Sequence, residues 1–259
     1  MSMQGKLPFN PLPFNARPHD YSGDNLLDIY NAESTQRYVA GTRFLRWDGS
    51  VFKYSRLKGS SSTGKLIWNT SGLVNTAVTG ATIAAGDRTM TFTLGADDGY
   101  GGGGYAEDEL VGGIVGLGGV AGRMITGNTA AAVSTAMTIT IDGAWQAAYT
   151  TPFTEISYNP YFYLSNAVNA HGAAMGMPHI ASTTDNFIWI QSYGPCVCTG
   201  SGSAGNADYQ RSVYVAPDGA VRDGSEVTIE TGGQLVGYIL DEGDGANGCM
   251  PVVMLQLSI

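Results

Sequence analysis

Hydrophobic and polar residues alternate along several short stretches of this chain, as they do in strands that bury one face. In Thr89–Leu94, TMTFTL, every second side chain is apolar, and Met137–Ile141, MTITI, repeats the pattern. Clusters of Gly and Asp separate such stretches, and no segment keeps a helical period over three turns. The pattern predicts an all-β protein, an antiparallel sandwich or barrel. Further predicted strands are Asn186–Tyr193, Ser212–Ala216, Glu226–Glu230, Gln234–Leu240 and Val252–Ile259.

The strongest local signal lies in Thr42–Arg56, TRFLRWDGSVFKYSR, where Asp48 and Gly49 separate two strand-forming runs. Asp-Gly between such runs is typical of a β-hairpin with a two-residue type I′ turn. With that loop, Trp47 faces Ser50 across the hairpin, and one face carries Trp47, Leu45, Phe52 and Tyr54.

Composition along the chain predicts three regions. Residues 1–35 hold four prolines and little hydrophobic periodicity, which predicts an extended N-terminal arm. Residues 36–151 contain the hairpin and a glycine-rich insertion at Gly95–Gly122, and residues 152–259 form a second β-sandwich or barrel region. The boundary between the two β regions is predicted near Pro152–Pro160.

The arm repeats a short unit, Leu-Pro-Phe-Asn, within KLPFNPLPFN. We expect this segment to lie along a partner or another subunit, with Phe9 and Phe14 filling pockets; the alternative is a tail that contacts nothing. The residues predicted to make these contacts are Leu7, Pro8, Phe9, Pro11, Leu12, Pro13 and Phe14.

Charge and cysteine content narrow the function classes. The net charge is −9, and charged residues are only 14% of the 259 residues, so the polar surface is built largely from small neutral side chains. A negative field repels nucleic acid and anionic lipid, so we expect no direct nucleic-acid or membrane partner. Three cysteines suit a protein assembled in a reducing cytosol, and no signal peptide is visible.

Two glycine-containing motifs imitate nucleotide-binding loops. Gly59–Lys65, GSSSTGK, is followed by Leu66, where a phosphate-binding loop needs Ser or Thr, and then by a β-prone run in place of a helix. Gly99–Gly104 satisfies G-x-G-x-x-G by count, but carboxylates follow it. We interpret the second stretch as a turned surface loop with exposed Tyr100 and Tyr105, a candidate apical contact loop.

The sequence signals for a metal site or a catalytic site are weak. Cys196 and Cys198 share one face of a strand, and a zinc site with Cys249 can be drawn, but two small buried hydrophobes are the favoured interpretation. The aromatic run Asn159–Tyr163, NPYFY, is a candidate sugar-stacking platform, although a turn that leads into a core strand is favoured. We expect no catalytic residue set, no cofactor and no metal site.

The stretch Tyr38–Tyr54, YVAGTRFLRWDGSVFKY, is similar to a segment near the N-terminus of tailed-bacteriophage virion proteins. In the second half, Phe187–Gly194, the Cys-Val-Cys strand, the turn at Gly200–Gly205 and the phrase VYVAPDGAV resemble phage capsid decoration (cement) proteins. The likeness covers about half of the chain and includes no catalytic signature. The glycine-rich insertion fits it less well.

The resemblance implies a non-enzymatic structural protein on the exterior of a virion, assembled in the host cytoplasm. Such proteins bind the major capsid protein, often as trimers, and clamp neighbouring subunits. Two alternatives stay open: a receptor- or glycan-binding head-fibre or tail protein, which would use Tyr100, Tyr105 and the NPYFY aromatics, and a β-sandwich polysaccharide-degrading enzyme.

Overall fold

The computed structural model describes residues 29–69, 82–96, 98–99, 102–117, 121–150, 154–166, 172–201, 211–224, 233–241 and 250–258. Within these ranges the regular structure consists of strands, without an α-helix. Pairings between named strands are antiparallel throughout. The all-β, antiparallel prediction is therefore confirmed.

Seventeen strands follow one another along the described chain. They are β1 Arg43–Leu45, β2 Val51–Arg56, β3 Ile67–Asn69, β4 Thr82–Ile83, β5 Thr89–Thr93, β6 Ile114–Leu117, β7 Ala121–Asn128, β8 Ala136–Ile141, β9 Tyr149–Thr150, β10 Thr154–Ser157, β11 Leu164–Ser165, β12 Ala174–Pro178, β13 Phe187–Val197, β14 Ser212–Val215, β15 Val221–Asp223, β16 Leu235–Asp241 and β17 Val252–Gln256. The predicted strand Glu226–Glu230 lies outside the described residues.

The chain divides into two compact units, and the second is inserted into the first. Unit 1 comprises the described residues before Ser71 together with those from Tyr161 onward, and unit 2 comprises the described residues of Ser71–Pro160. This division differs from the predicted regions 36–151 and 152–259, because strands β1, β2 and β3 join the sheet of the second half. The boundary predicted at Pro152–Pro160 marks only the end of the insertion.

Unit 1 is built on a ten-stranded sheet with the order β11-β3-β12-β13-β17-β16-β14-β15, from which β2 and β1 branch at β13. The eleven-residue strand β13 organises this sheet, because it pairs with β2 along Phe187–Tyr193 and with β17 along Tyr193–Val197. We call the five neighbouring strands β13, β17, β16, β14 and β15 the β13–β15 region, after the first and last strand in sheet order. One face of this region covers an apolar core. The core residues there include Cys196, Val213, Val221, Val236, Ile239, Val253 and Leu255.

The hairpin of β1 and β2 has a different register from the predicted one. Leu45 pairs with Val51, and the Arg46 amide donates to the Ser50 carbonyl, so the loop holds three residues, not two. Gly49 has a φ of 85°, as expected for a type I turn closed by a glycine bulge. The extra residue exchanges the two faces of β1. Phe44 is consequently buried, and Leu45 and Trp47 are exposed.

The described end of the predicted arm packs onto its own chain. Glu33 and Phe187 exchange two backbone hydrogen bonds of 2.9 and 2.8 Å. Tyr54 Oη donates to Glu33 Oε2 at 3.2 Å and accepts from the Arg37 amide at 3.1 Å, and Arg37 Nε lies 3.0 Å from Glu33 Oε1. Burial raises the pKa of Tyr54, so the phenol stays protonated. Residues 29–35 therefore belong to unit 1.

Unit 2 consists of a five-stranded sheet with the order β10-β6-β7-β8-β5 and a pair formed by β4 and β9. The alternating strands β5 and β8 pair with Met90 opposite Ile139 and Phe92 opposite Met137, and all four side chains are buried. The Asn128 side chain, also buried, accepts from the Leu110 amide at 2.9 Å and donates to the Ala106 carbonyl at 2.8 Å.

Candidate interaction surface

The exposed tip of the β1–β2 hairpin is the first candidate surface. Trp47 sits in the loop with 73% of its area exposed, although an indole ring is among the side chains that gain most from burial. Tyr30 and Leu45 are the other large exposed hydrophobic residues in this part of unit 1. We call Tyr30, Leu45, Arg46, Trp47 and Asp48 the hairpin tip.

Hydrogen bonds fix the loop that carries Trp47. Arg46 Nε donates to Asp48 Oδ2 at 2.9 Å, the Ser50 amide donates to Asp48 Oδ1 at 2.9 Å, and the Gly49 amide donates to the Arg46 carbonyl at 3.0 Å. Burial of Asp48 opposes its ionisation, but hydrogen bonds from Arg46 and Ser50 outweigh burial and lower its pKa. The indole is thus presented on a preorganised turn, which reduces the entropy lost on binding.

A partly buried polar group lies below the tip and connects it to the sheet. His179 Nε2 is 2.7 Å from Gln191 Oε1, and Gln191 Nε2 donates to the carbonyls of Tyr193 and Pro195 at 3.1 and 3.0 Å. The His179 ring meets Tyr30 edge-on at 5.9 Å. Burial lowers the pKa of His179, so the ring is neutral at pH 7.

The outward face of the β13–β15 region is the second candidate surface. Strand pairing places Pro195, Met254 and Tyr238 in one row across β13, β17 and β16, and it pairs Val197 with Val252 in the next row. Leu235, Tyr238 and Leu240 are exposed on β16, with a register shift between Leu235 and Tyr238, and Leu235 is 56% exposed. We call the residues of this apolar surface the open face: Pro195, Val197, Leu235, Tyr238, Leu240, Val252 and Met254.

Most of the predicted contact residues lie outside the part of the chain that the structure describes. Leu7, Pro8, Phe9, Pro11, Leu12, Pro13 and Phe14 of the arm, and Tyr100 of the candidate apical loop, lie outside the described residues. Tyr105 is described, and the prediction that it is exposed is wrong, because only 4% of its area is accessible.

The burial of Tyr105 follows from its backbone pairing. The Tyr105 amide and carbonyl form hydrogen bonds of 2.8 and 2.9 Å with Ala131, and its ring lies 5.9 Å from that of Tyr158. The preceding turn is tight, because a Cβ atom built on Gly99 would lie 2.0 Å from the Gly104 carbonyl oxygen. Glycine-rich chain here permits close backbone packing and brings Tyr105 into the core of unit 2.

The run Asn159–Tyr163 offers no aromatic platform. Phe162 and Tyr163 are buried, and the run turns directly into strand β11, which is the interpretation favoured from the sequence. The Arg56 guanidinium lies 5.0 Å from the ring centre of Phe162, a cation–π contact that holds this turn against β2.

The remaining motifs have structural roles in the described residues. Gly59–Lys65 leads into strand β3 as predicted, and Lys65 Nζ lies 2.7 Å from Asp218 Oδ2. Cys196 and Cys198 are free, buried thiols with their sulfur atoms 3.5 Å apart, so the prediction of small buried residues is confirmed for them. Their mutual hydrogen bond and burial raise the pKa of Cys196. Cys249 lies outside the described residues.

The described residues contain no cluster of three or more His, Cys, Asp or Glu side chains arranged to hold a metal ion. Nor do they contain a helix long and apolar enough to span a bilayer.

Comparison with known proteins returned nothing: no protein-family model, curated protein or solved structure matches this chain. Both candidate surfaces therefore rest on the geometry and exposure of this chain's own residues. The sequence pattern predicted that Trp47 and Leu45 share a hairpin face with Phe52 and Tyr54, which are buried in the structure. It did not predict that the open face is exposed. The exposed positions Leu235, Tyr238 and Leu240 read locally as ordinary strand residues.

Proposed function

We propose that this chain is a structural virion protein that binds the exterior of a phage capsid and stabilises contacts between major capsid subunits. The partner in this proposal is the major capsid protein, and no catalytic step is involved. The sequence resemblance described above supports the proposal. The acidic charge supports it too, because an acidic protein is suited to the outside of a shell that encloses DNA.

The observation that carries the proposal is the exposure of Trp47 on a rigid loop. Interface hot spots are enriched in Trp, Tyr and Arg. The hairpin tip supplies the exposed Trp47, its chain neighbour Arg46, and Tyr30, which interacts with Arg46. Arg46 donates a hydrogen bond to Asp48, and its guanidinium lies 5.5 Å from the ring centre of Phe52. These two contacts fix the Arg46 side chain. An exposed aromatic side chain on a preorganised turn is suited to a pocket on a larger protein surface.

Trp47→Ala is the direct test. Removing a hot-spot indole costs about 2 kcal/mol or more, so we expect capsid binding to weaken roughly 30-fold or more. Binding is measured by co-sedimentation with expanded, empty capsids, together with the temperature at which those capsids disrupt. The folded state of Trp47→Ala should match that of the unaltered protein, because the indole is exposed.

Met124→Ala is the matched control, because Met124 is an exposed hydrophobic residue that belongs to unit 2 and is not part of the hairpin tip. It should bind capsids like the unaltered protein. Deleting residues 1–20 in the same assay tests the predicted arm contacts separately. If the unaltered protein neither binds the capsids nor raises their disruption temperature, the proposed function is wrong.

Glycan binding is the second candidate function, and one observation favours it. Trp47 and Tyr30 are both largely exposed, and an exposed aromatic ring is a surface on which a sugar ring can stack. The aromatics first considered for this role, Tyr105, Phe162 and Tyr163, are buried. A glycan array separates the two functions: Trp47-dependent signals on sugars without capsid binding would replace the capsid proposal with this one.

A further inference from the structure

Positive charge is concentrated in the β1–β2 hairpin and the residues next to it, although the whole chain is acidic. Residues 37–58 hold six of the 13 Lys and Arg residues but only one of the 22 Asp and Glu residues. Their formal charge is therefore +5 and that of the remaining chain is −14, which together give the net charge of −9. The six basic residues are Arg37, Arg43, Arg46, Lys53, Arg56 and Lys58.

Two of these cations, Arg43 and Lys53, form no ion pair with an acidic side chain of the described residues. Ion pairs inside unit 1 already neutralise three of the others. These pairs are Arg37 with Glu33, Arg46 with Asp48, and Arg56 with Asp185.

Arg43 and Lys53 lie directly opposite each other across the hairpin, and we call them the basic pair. They are register partners of β1 and β2, so their Cβ atoms are about 5 Å apart. Burial lowers the pKa of Lys53, and the charge of Arg43 lowers it further. Like charges directly opposite in a sheet are destabilising. An anion bound between the two side chains would therefore relieve a repulsion within the hairpin.

The basic pair is continuous with the exposed apolar residues of the hairpin tip. Along β1, Arg43 and Leu45 are exposed and Phe44 between them is buried, and Trp47 follows in the loop with 73% of its area exposed. Lys53 Nζ lies 5.7 Å from the ring centre of Tyr161, a cation–π contact that helps to hold the ammonium group in place. Two cationic donors thus lie next to an apolar anchor.

We propose that the basic pair and the hairpin tip dock together onto an acidic patch of a protein partner, one carboxylate of which accepts hydrogen bonds from Arg43 and Lys53. A guanidinium fork matches the two oxygens of a carboxylate, and such charge-assisted hydrogen bonds are stronger than neutral ones. Trp47 and Leu45 contribute apolar contact beside this ion pair. The inference rests on the proposed function, since it assigns the kind of capsid surface that receives the hairpin.

A protein carboxylate suits this surface better than nucleic acid does. Duplex DNA carries about one negative charge per 1.7 Å of its axis, and the charge of −14 on the remaining chain opposes its approach. Two cations beside Leu45 and Trp47 match a small acidic patch with apolar surroundings, which is common at protein interfaces.

Arg43→Glu is the test in the capsid assay, because it places a negative charge where the partner is expected to be negative. We expect the affinity for expanded, empty capsids to fall at least about tenfold. Raising the salt from about 0.05 M to about 0.5 M should weaken binding of the unaltered chain by a larger factor than binding of the variant, because screening acts on the contact that the variant has lost.

Arg88→Glu is the matched control. Arg88 is exposed between β4 and β5 of unit 2, and the substitution changes the net charge by the same amount. Its capsid affinity should stay within about twofold of the unaltered value.

Urea unfolding of the free chain separates recognition from folding. Arg43→Glu replaces a repulsive cross-strand pair by an attractive one, so the variant should unfold at the same or a higher urea concentration. A lower midpoint would show that Arg43 maintains the hairpin itself, and it would overturn the inference.

Immobilised poly-L-glutamate and duplex DNA are the probes that need no capsid. The full chain should be retained on polyglutamate at low salt, and Arg43→Glu, but not Arg88→Glu, should abolish this retention. Retention on duplex DNA that depends on Arg43 would replace the acidic protein by nucleic acid as the partner. Absence of retention on polyglutamate would contradict the inference.

These measurements distinguish the inference from the proposed function. Capsid binding that Arg43→Glu leaves unchanged overturns the inference alone. An unaltered chain that does not bind capsids but is retained on polyglutamate through Arg43 shows that the proposed function is wrong and that the basic pair still recognises carboxylates.

Discussion

One glycine is required in the hairpin loop and another in the sheet that forms the open face, and the two are subject to different physical constraints. At Gly49 the backbone needs a positive φ, but a Cβ atom would meet nothing within 4 Å. At Gly237, on β16, a Cβ atom would lie 1.9 Å from the Met254 carbonyl oxygen of the neighbouring strand. The first position is restricted by backbone conformation alone. The second is restricted by a φ of 154° and, in addition, by a backbone clash within the sheet that forms the open face.

Alanine substitutions should separate these two constraints. Gly49→Ala should lower the free energy of unfolding by about 1 kcal/mol, the usual cost of a left-handed residue with a Cβ. Gly237→Ala should lower it by roughly 3 kcal/mol or more, because Met254 belongs to a paired central strand and cannot yield. Urea unfolding at pH 7.5 measures both. Equal losses would contradict this interpretation of Gly237.

His179 should make the stability of unit 1 depend on pH. Burial lowers its pKa in the folded state, and the Arg46 guanidinium adds a smaller effect in the same direction, while the hydrogen bond with Gln191 opposes both. The unfolded chain therefore binds the proton more readily. Stability is fully present above about pH 6.5, the pKa of an unfolded histidine, and declines as the pH falls through the lower folded value.

Urea unfolding at pH 7.5 and pH 5 measures this decline. His179→Gln cannot take up the proton, so its loss of stability between the two pH values should be smaller than that of the unaltered chain. His19 and His171 are present in both proteins and cancel in the comparison. An identical loss in both proteins would assign the acid sensitivity to other groups.

At the scale of the element, the sequence predicted strands well where the signal is local. Alternation over five or six residues located β5 and β8 and identified their buried sides, because one face of each meets the core of unit 2. The β1–β2 hairpin was located, but its register was wrong by one residue. Asp48-Gly49 is compatible with two-residue and three-residue loops, and packing of Phe44 against Phe52 and Trp189 accompanies the longer one.

Strand β13 shows why longer-range features could not be predicted. The sequence predicted an end at Tyr193, before Gly194 and Pro195, but the strand continues to Val197. Its partner changes at that point from β2 to β17, strands that lie far apart in sequence. The open face exists because of this change of partner, so local alternation could not indicate it, whereas the hairpin tip was visible in the sequence as an aromatic turn.

At the scale of the whole molecule, unit 2 is inserted in the chain between two strands of unit 1 that pair with each other, β3 and β11. The chain leaves β3 at Asn69 and returns in β11 at Leu164, and these two residues are direct partners in the sheet. The described strands of unit 1 that flank the insertion are therefore direct neighbours in the sheet. Insertions tolerated by a fold usually begin and end at adjacent points of this kind.

Unit 1 should consequently fold without unit 2. Replacing Ser71–Pro160 with two glycines leaves a six-residue loop between β3 and β11: Thr70, the two glycines and residues 161–163. About six residues is within the usual range for connections between elements. We expect a single cooperative urea transition and a β-type circular dichroism spectrum. Binding of a hydrophobic dye in water, without a cooperative transition, would show that unit 1 needs the insertion.

The same connectivity sets an order of events during synthesis on the ribosome. Strand β2 emerges early, yet its partner β13 lies more than a hundred residues later, since Arg56 pairs with Phe187. All strands of unit 2 leave the exit tunnel in between, and their pairings close within that interval. Unit 2 can therefore complete its fold on the nascent chain. The aromatic residues of β1 and β2 stay exposed until β13, in the final third of the polypeptide, has been synthesised.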